Sequence, residues 1–319
     1  MYIPSDNLDL RINGEPVYGF QFDRPERKDE MSVLESYNLN YNTLKFVLPI
    51  TYKPILFDRA DLNVIELFYK GDIIFSGCPA GQFDFDYRQG AGVIIIDASP
   101  WLGLISKSVS AYDIGASKPA ALLSEIIGNL DARYTVISNV HNDVSGIYLA
   151  VDTDGEETED ISVLNNICDL LCMGVFLNSF YLEMFMLPEA LIEGEELDNK
   201  ILVDTQPIIN SVTSMDYDKI VLTYKNTVGG TEETATAGAG KLVKSVSAEN
   251  IYVDDTTAQN IVNRQYALFS TPWVSMTQSV AKEFKIGDRV SYGGYNFFVC
   301  SVECKYTHWI IKCYGKKGE

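Results

Sequence analysis

The chain has 319 residues and is poor in positive charge, in histidine and in long apolar runs, and each shortage excludes something. Lys and Arg total 25 against 44 Asp and Glu, a formal net charge of -19 that repels phosphate backbones at long range. A reader of nucleic acid is excluded on that balance. Only His141 and His308 offer a near-neutral base, neither stands in a recognisable nucleophile arrangement, and there is no G-x-S-x-G elbow, so a Ser-His-Asp hydrolase is unsupported. No stretch approaches the ~18 consecutive apolar residues of a membrane-spanning helix, and the opening MYIPSDNLDL lacks the basic and apolar regions of an export signal. The expectation is a protein with no membrane-spanning segment that is not exported by that route. Six cysteines are too sparse for a disulfide scaffold and suit folding in a reducing cytoplasm.

What is present points to strands. Hydrophobic residues make up 46% and aromatics 12%, with 19 Tyr and 15 Phe, and frequent Gly and Pro break the chain into short elements. A chain of this length buries roughly three quarters of its unfolded surface and builds more than one core, so two or three domains are expected. Leu8, Leu10 and Ile12 alternate, Asn13-Gly14 turns, and Tyr18, Phe20 and Phe22 resume, which predicts a hairpin over 8–22. Residues 23–30 (DRPERKDE) are charged at seven of eight positions and read as a solvated loop. Further strands are predicted at Thr43 to Leu48, Val64 to Tyr69, Ile73 to Phe75, around Phe83, Phe85 and Tyr87, and at Val93 to Ile96, about six strands in all. That spacing favours a small barrel or sandwich.

The middle third is mixed. Ser99-Pro100 has the form of a helix cap opening a short turn through Ile105. Ser117 and Pro119 do the same for a helix carrying Leu122, Leu123, Ile126, Ile127 and Leu130, and Ile161, Leu164, Ile167, Cys168, Leu171 and Cys172 mark another, with Gly174 as its C-terminal cap. Strands are expected at Tyr134 to Ser138 and Ile147 to Val151, and a hairpin over 175–187 turning at Asn178-Ser179. Beyond Ile201 strands return at Ile220 to Tyr224, Leu242 to Val246 and Ile251 to Val253. Residues 229–240, made of Gly, Thr, Glu and Ala alone, read as a mobile hairpin loop with too little apolar surface to pack. A helix over 257–269 carries Ile261, Val262, Tyr266 and Phe269, and strands follow at Phe284 to Ile286, Arg289 to Tyr292, Phe297 to Val302 and Trp309 to Tyr314.

Motifs for chemistry are weak. Six of the nine residues in Asp152 to Asp160 are acidic, but setting Gly155 as the sixth position of a calcium loop puts Ala150 and Ile161 where oxygen ligands belong. A solvated loop leading into a helix start accounts for the acids better. Cys168, Cys172, Cys300, Cys304 and His308 lack the tight pairs of a zinc finger and read as small buried hydrophobes beside Ile167, Leu171 and Val299. Gly240-Lys241 ends like a phosphate loop, yet Ala235 replaces the first glycine and Leu242 the hydroxyl. Acid pairs such as Asp84 with Asp86, or Glu195 with Glu196, arise by chance among 44 acids and identify no glycosidase. No catalytic, cofactor-binding or metal-ligating residue is assigned.

The most specific signal is internal. Val64 to Gly77 (VIELFYKGDIIFSG) and Asp288 to Val302 (DRVSYGGYNFFVCSV) each hold a strand, a glycine turn and an aromatic-rich strand, and aligning Gly71 with Gly293 puts Phe75 on Phe297. The charged loop before strands ending in FVLPI, then KGDIIFSG, the alternating aromatics and a strand closing at Asp97 resemble the first tube-type barrel of the baseplate hub proteins of phage tails, the late control D-like proteins and hubs of contractile injection systems. ISVLNNICDLLCMG followed by VFLNSFYLEMFML is similar to that family's middle insert, and the helix around Ile261 to Phe269 with FKIGDRVSYGGYNFFVCSV looks like its second barrel.

The resemblance implies a β-rich α+β fold with two small tube-type β-barrel domains at 1–98 and 201–319 and an α+β domain at 99–200 between them. It also implies a structural virion protein without enzymatic activity or cofactor. Three copies would form a ring joining a hexameric tail tube or distal tail protein to a trimeric spike, with a tape measure protein as a further partner and DNA only as transported cargo. Location in the virion after assembly in the bacterial cytoplasm follows. A distal tail or other tail-tip component, and a carbohydrate-active hydrolase, are the alternatives. For contacts, the two hairpin regions are the candidates.

Overall fold

The computed structural model describes residues 8–31, 39–41, 43–52, 63–69, 71–79, 84–86, 92–100, 108–128, 137–141, 146–178, 181–187, 191–203, 206–212, 217–304 and 308–318. It is a β-rich α+β protein. The first hundred residues hold β1 (Leu8–Ile12), β2 (Glu15–Val17), β3 (Gln21–Glu30), β4 (Leu39–Tyr41), β5 (Thr43–Pro49), β6 (Ile65–Tyr69), β7 (Asp72–Pro79), β8 (Asp84–Asp86) and β9 (Val93–Pro100). The middle holds β10 (Val109–Ser110), β11 (Asp113–Ser117), α1 (Pro119–Gly128), β12 (Ile137–His141), β13 (Leu149–Asp152), β14 (Thr158–Glu159), α2 (Asp160–Leu171), β15 (Met173–Asn178) and β16 (Tyr181–Met186). The remainder holds β17 (Glu195–Glu196), β18 (Ile209–Val212), β19 (Lys219–Asn226), β20 (Glu232–Gly238), β21 (Val243–Val253), α3 (Asp255–Phe269), β22 (Trp273–Val280), β23 (Arg289–Tyr292), β24 (Tyr295–Cys304) and β25 (Trp309–Lys317).

Fourteen strands form one sheet that runs through both ends of the chain. In the first part the neighbours are β3-β5-β9-β7-β6-β1, and in the last part β18-β22-β25-β24-β23-β17. Counting in chain order only the six strands named in each part, which leaves out β2, β4 and β8 in the first and β19 to β21 in the last, the two orders are identical: second, third, sixth, fifth, fourth, first. All neighbours are antiparallel except β17, which runs parallel to β23. Each repeat has its own core. Leu10, Ile12, Leu44, Phe46, Leu48, Ile65, Leu67, Phe75, Ile94 and Ile96 close the first, and Met276, Val280, Val290, Phe297, Val299, Trp309, Ile311 and Cys313 the second. β5 illustrates the cause: Leu44, Phe46 and Leu48 alternate with Thr43, Lys45 and Val47, so one face is apolar at the strand's two-residue period.

A third core lies between α1, α2, α3 and two further sheets, β11-β13-β21-β19-β20 and β12-β16-β15-β4. Both repeats reach it from the same place, the connection between their second and third strands. The first sends out β4, which pairs with β15, and the second sends out β19 to β21 and α3.

Several expectations are corrected. Residues 23–30 are not a loop: they belong to β3, paired with β5 on one side and with β24 on the other. Charge bears on which side chains can be buried, whereas pairing satisfies the backbone, and neighbours on both sides are there to pair. Ser99-Pro100 ends β9, with Pro100 opposite Gly77, instead of opening a helix; residues 101–107 lie outside the described ones. The 229–240 run contains β20, in which Ala235 and Ala237 are buried and Thr234 and Thr236 exposed. The strand needs little apolar bulk because α3 packs close: a Cβ on Gly238 would lie 2.3 Å from the Tyr266 ring. The cap of α2 is Cys172, in the left-handed region at φ 50°, and Gly174 is inside β15. Residues 284–286 form no strand, and the two strands expected over 242–253 are one, β21. Ser117 ends β11, where its hydroxyl donates to the Gly115 carbonyl. Lys70, Phe83, Tyr87, Leu130, residues 134–136 and Ser179 lie outside the described residues.

Candidate functional site

The repeated hairpin is the feature the two ends share in detail. Tyr69 faces Asp72 and Tyr292 faces Tyr295, so both turns have two linking residues, and Gly71, Gly293 and Gly294 all take positive φ. Deeper in, Leu67 faces Phe75 and Val290 faces Phe297, and all four are buried. The ungapped alignment that matches the phenylalanines sets the turns one residue apart. A bulge at Ile74, between the pairs Phe68/Ile73 and Leu67/Phe75, absorbs the difference.

The repeats are joined by strand pairing. Glu30 faces Ser301, Asp29 faces Val302 and Lys28 faces Glu303, and the Met31 N–H donates to the Cys300 carbonyl at 2.8 Å. Among the described residues, no strand pairs beyond β2 or β18 at the two ends of the great sheet. β2 has three residues, with Glu15 and Pro16 exposed, both of which discourage further pairing. β18 (INSV) has no charge and no proline, Asn210 and Ser211 are exposed, and Ile208 beside it is 72% exposed.

The residues weighed for chemistry lie apart. Asp84 and Asp86 are in β8 and His141 in β12, and their side chains lie outside the described ones. Glu195 is ion-paired with Lys282. His308 is half-buried just before β25. Cys168, Cys172, Cys300 and Cys313 are buried, and burial pushes Cys168 and Cys313 upward in pKa, away from the reactive thiolate. Among the described residues no three His, Cys, Asp or Glu side chains converge as a metal shell would require. The N–H groups of Lys241 and Leu242, at the end of the glycine run, hold the Asp218 carboxylate at 3.1 and 3.2 Å. The acidic loop turns at Asp154 and Gly155 and leads into α2.

Two polar clusters were invisible in the residue order. Asp160, the first residue of α2, is completely buried; its Oδ1 accepts the Tyr112 hydroxyl at 2.6 Å, and its Oδ2 has no hydrogen-bond partner among the described residues. Burial first and the carboxylate second hold the Tyr112 phenol well above its ordinary pKa. Glu233 and Asp255 share two donors, the Tyr224 hydroxyl at 3.3 and 2.9 Å and the Asn226 amide at 3.3 and 2.6 Å. Burial and then Asp255 raise the Tyr224 phenol in turn. The lone signal for either cluster was an acid at a helix start, where the dipole favours negative charge.

No family model matches the sequence. A search of curated proteins found no match either. The shape does match solved structures. The tail protein from Neisseria meningitidis MC58 superposes with a TM-score of 0.60 at 11% identity, over 97% of this chain and 96% of that one. Prophage tail protein gp18 from Listeria monocytogenes EGD-e gives 0.61 at 15% identity, over 98% and 95%. The chain has a phage tail-protein fold. The 43 kDa tail protein of prophage MuSo2 from Shewanella oneidensis shares that tail-protein fold at 0.57 and 8% identity, over 97% and 98%. Such identities carry shape and no residue roles. Among the described residues of this tail-protein fold, no helix is long and apolar enough to cross a membrane.

Proposed function

We propose that the chain is a structural subunit of a phage tail or tail-derived particle. Three copies form a hub ring that joins a hexameric tube or distal tail protein to a trimeric spike and encloses part of the delivery channel. The observation that carries this reading is the six-strand order that occurs twice in one chain. Three copies of a chain with two equivalent units present six similar faces, while everything that distinguishes the units recurs three times. A ring of this kind meets partners of both symmetries. Each unit is read as a small tube-type barrel, with domain boundaries near residues 98 and 200 and with the 217–269 excursion of the third domain lying on the second.

The three tail proteins that share the fold support the particle, and the charge of -19 suits a conduit. Carboxylates along the channel would keep DNA, the cargo, from adhering. A tape measure protein would end at the same ring. Location in the virion, after assembly in the bacterial cytoplasm, completes the reading.

The test is the composition and image of the particle. Purified tails should contain three copies, seen at the junction of tube and spike. Tails that are complete without the chain overturn the proposal. Cleavage of peptidoglycan or polysaccharide, abolished by replacing Glu233 or Asp255, would put the hydrolase in its place.

A further inference from the structure

The sequence holds one Asn-Gly step, Asn13-Gly14, and one Asp-Gly step, Asp154-Gly155. Both occupy the same kind of two-residue left-handed turn, with φ of 58° and 83° at the first and 53° and 80° at the second. In such a step the glycine nitrogen, unhindered by a side chain, can attack the side-chain carbonyl carbon of the residue before it. The structure treats the two side chains in opposite ways.

Asn13 is clamped. Its Nδ2 donates to Asn63 Oδ1 at 2.9 Å, its Oδ1 accepts the Val64 N–H at 2.9 Å, and its own N–H donates to the Val64 carbonyl at 2.8 Å. Its turn also closes the pair Ile12/Glu15, where β1 meets β2. Swinging Cγ of Asn13 toward Gly14 breaks both side-chain bonds. Asp154 and Gly155, by contrast, are both exposed, and among the described residues neither the Asp154 carboxylate nor the Gly155 N–H has a hydrogen bond. One backbone bond closes this turn, from the Glu156 N–H to the Thr153 carbonyl at 2.9 Å, and the Asp154 N–H donates to Asp152 Oδ1 at 2.8 Å. A tip held this lightly opens locally.

We propose that Asp154 is a site of covalent modification, where the folded chain isomerises to isoaspartate, and that the clamp on Asn13 suppresses the equivalent reaction in the first repeat. The Gly155 nitrogen attacks Cγ of the protonated Asp154 side chain. The N–Cγ bond forms, the Cγ–OH bond breaks, and the hydroxyl leaves with the nitrogen's proton as water, giving a five-membered succinimide. Water then reopens the ring. Cleavage of the N–Cγ bond restores aspartate, and cleavage of the bond from nitrogen to the Asp154 main-chain carbonyl leaves the chain running through Cβ and Cγ, which is isoaspartate. One water is lost and one regained, so no other reactant is needed. At an Asn-Gly step ammonia leaves in the first stage instead, and the chain gains mass. The product at Asp154 has one more backbone atom inside the turn. Thr153 is the residue it disturbs, and Thr153 holds Tyr112 through two hydrogen bonds of 3.0 Å, N–H to the Tyr112 carbonyl and Oγ1 from the Tyr112 N–H.

The experiment incubates the full chain in warm neutral buffer, folded or in urea, and follows both steps by peptide mapping, with methylation by an isoaspartyl methyltransferase as a second readout. In urea Asn13 is expected to convert first, because a neutral amide loses ammonia more readily than a carboxyl loses water. In the folded wild type the order is expected to invert, with isoaspartate at Asp154 and an intact Asn13. Asp154→Asn places the same dipeptide in both turns and suits a left-handed turn. In that folded variant position 154 is expected to lose ammonia about tenfold or more faster than Asn13, the factor two side-chain hydrogen bonds impose on opening, and the two rates should converge in urea. Asn63→Ala, which removes the acceptor of the Asn13 amide, is expected to speed conversion at Asn13. Equal rates at the two positions of the folded Asp154→Asn chain overturn the proposal. So does a folded wild type in which Asn13 converts before Asp154, and an Asn13 that stays as slow in the Asn63→Ala chain refutes the clamp.

Discussion

The two repeats have the same strand order and the same buried phenylalanine, and almost nothing else on their outer faces agrees. In the first, Asp9 binds Arg11 at 2.7 Å, and the Arg11 guanidinium lies 4.8 Å from the centre of the Phe68 ring. In the second, the position of Glu66 is taken by Arg289, whose Nη1 is buried without a hydrogen-bond partner among the described residues and whose pKa burial lowers. There the flanking strand is the two-residue β17, entered by Gly194, where a Cβ would lie 2.2 Å from the Arg289 backbone. Inward residues specify the order of strands through the alternation that each core requires, while the outward ones answer to what lies beyond each repeat. The difference teaches that a duplicated frame can keep its topology while its two surfaces diverge toward separate contacts.

The comparison can be broken first at its centre. Phe75→Ala and Phe297→Ala should each cost about 3–5 kcal/mol, the usual range for a buried aromatic, and urea denaturation should find the two losses alike. A Phe75 variant as stable as the wild type would mean that the shared hairpin is a resemblance of shape without a shared core. Gly315→Ala comes next: its Cβ would lie 2.4 Å from the Phe297 ring and 2.5 Å from the Asn296 carbonyl oxygen, so overpacking of about 1–3 kcal/mol is expected in the second repeat alone.

The middle body supplies a contrast that depends on pH. Tyr112→Phe strips Asp160 of its donor and should lose about 1–3 kcal/mol near neutrality. The phenol's folded pKa is raised, so its contribution is complete below about pH 10, where the unfolded tyrosine ionises, and fades as the pH climbs beyond. The gap between wild type and variant should therefore narrow in alkali, and a constant gap from pH 7 to 11 would contradict the hydrogen bond. Smaller still is Asp254→Ala, which removes the N-cap that accepts the Thr257 N–H at 2.6 Å; about 1 kcal/mol is expected in the same denaturation measurement. Arg11→Ala, on the exposed face of the first repeat, should leave the melting midpoint unmoved.

Much of this frame was legible in residue order. The apolar alternation of β5, the stripe Leu122, Leu123, Ile126 and Ile127 of α1, and the stripe of α3 all lie where the period placed them, because each buries a face that its own sequence defines. β3 and β20 were not legible. Their membership in a sheet depends on partners far along the chain, Ser301 for Glu30 and α3 for Ala235, and a local window holds neither. Aligning Gly71 with Gly293 matches Phe75 to Phe297 correctly but sets the turns one residue apart, because no spacing announces the bulge at Ile74. Of the candidate site, the hairpins could be read, but the seam could not, since an edge is open or closed only by what the rest of the molecule leaves beside it.

That both excursions leave from the same connection has a practical side. The frame tolerates very different guests at one port, a single short strand in the first repeat and three strands with a helix in the second. The second guest ends in a hairpin whose tip, Thr227 to Gly230, is solvent-exposed, with Val228 80% exposed. A label or a small folded payload spliced there would ride on an exposed tip, on a lever the molecule already carries.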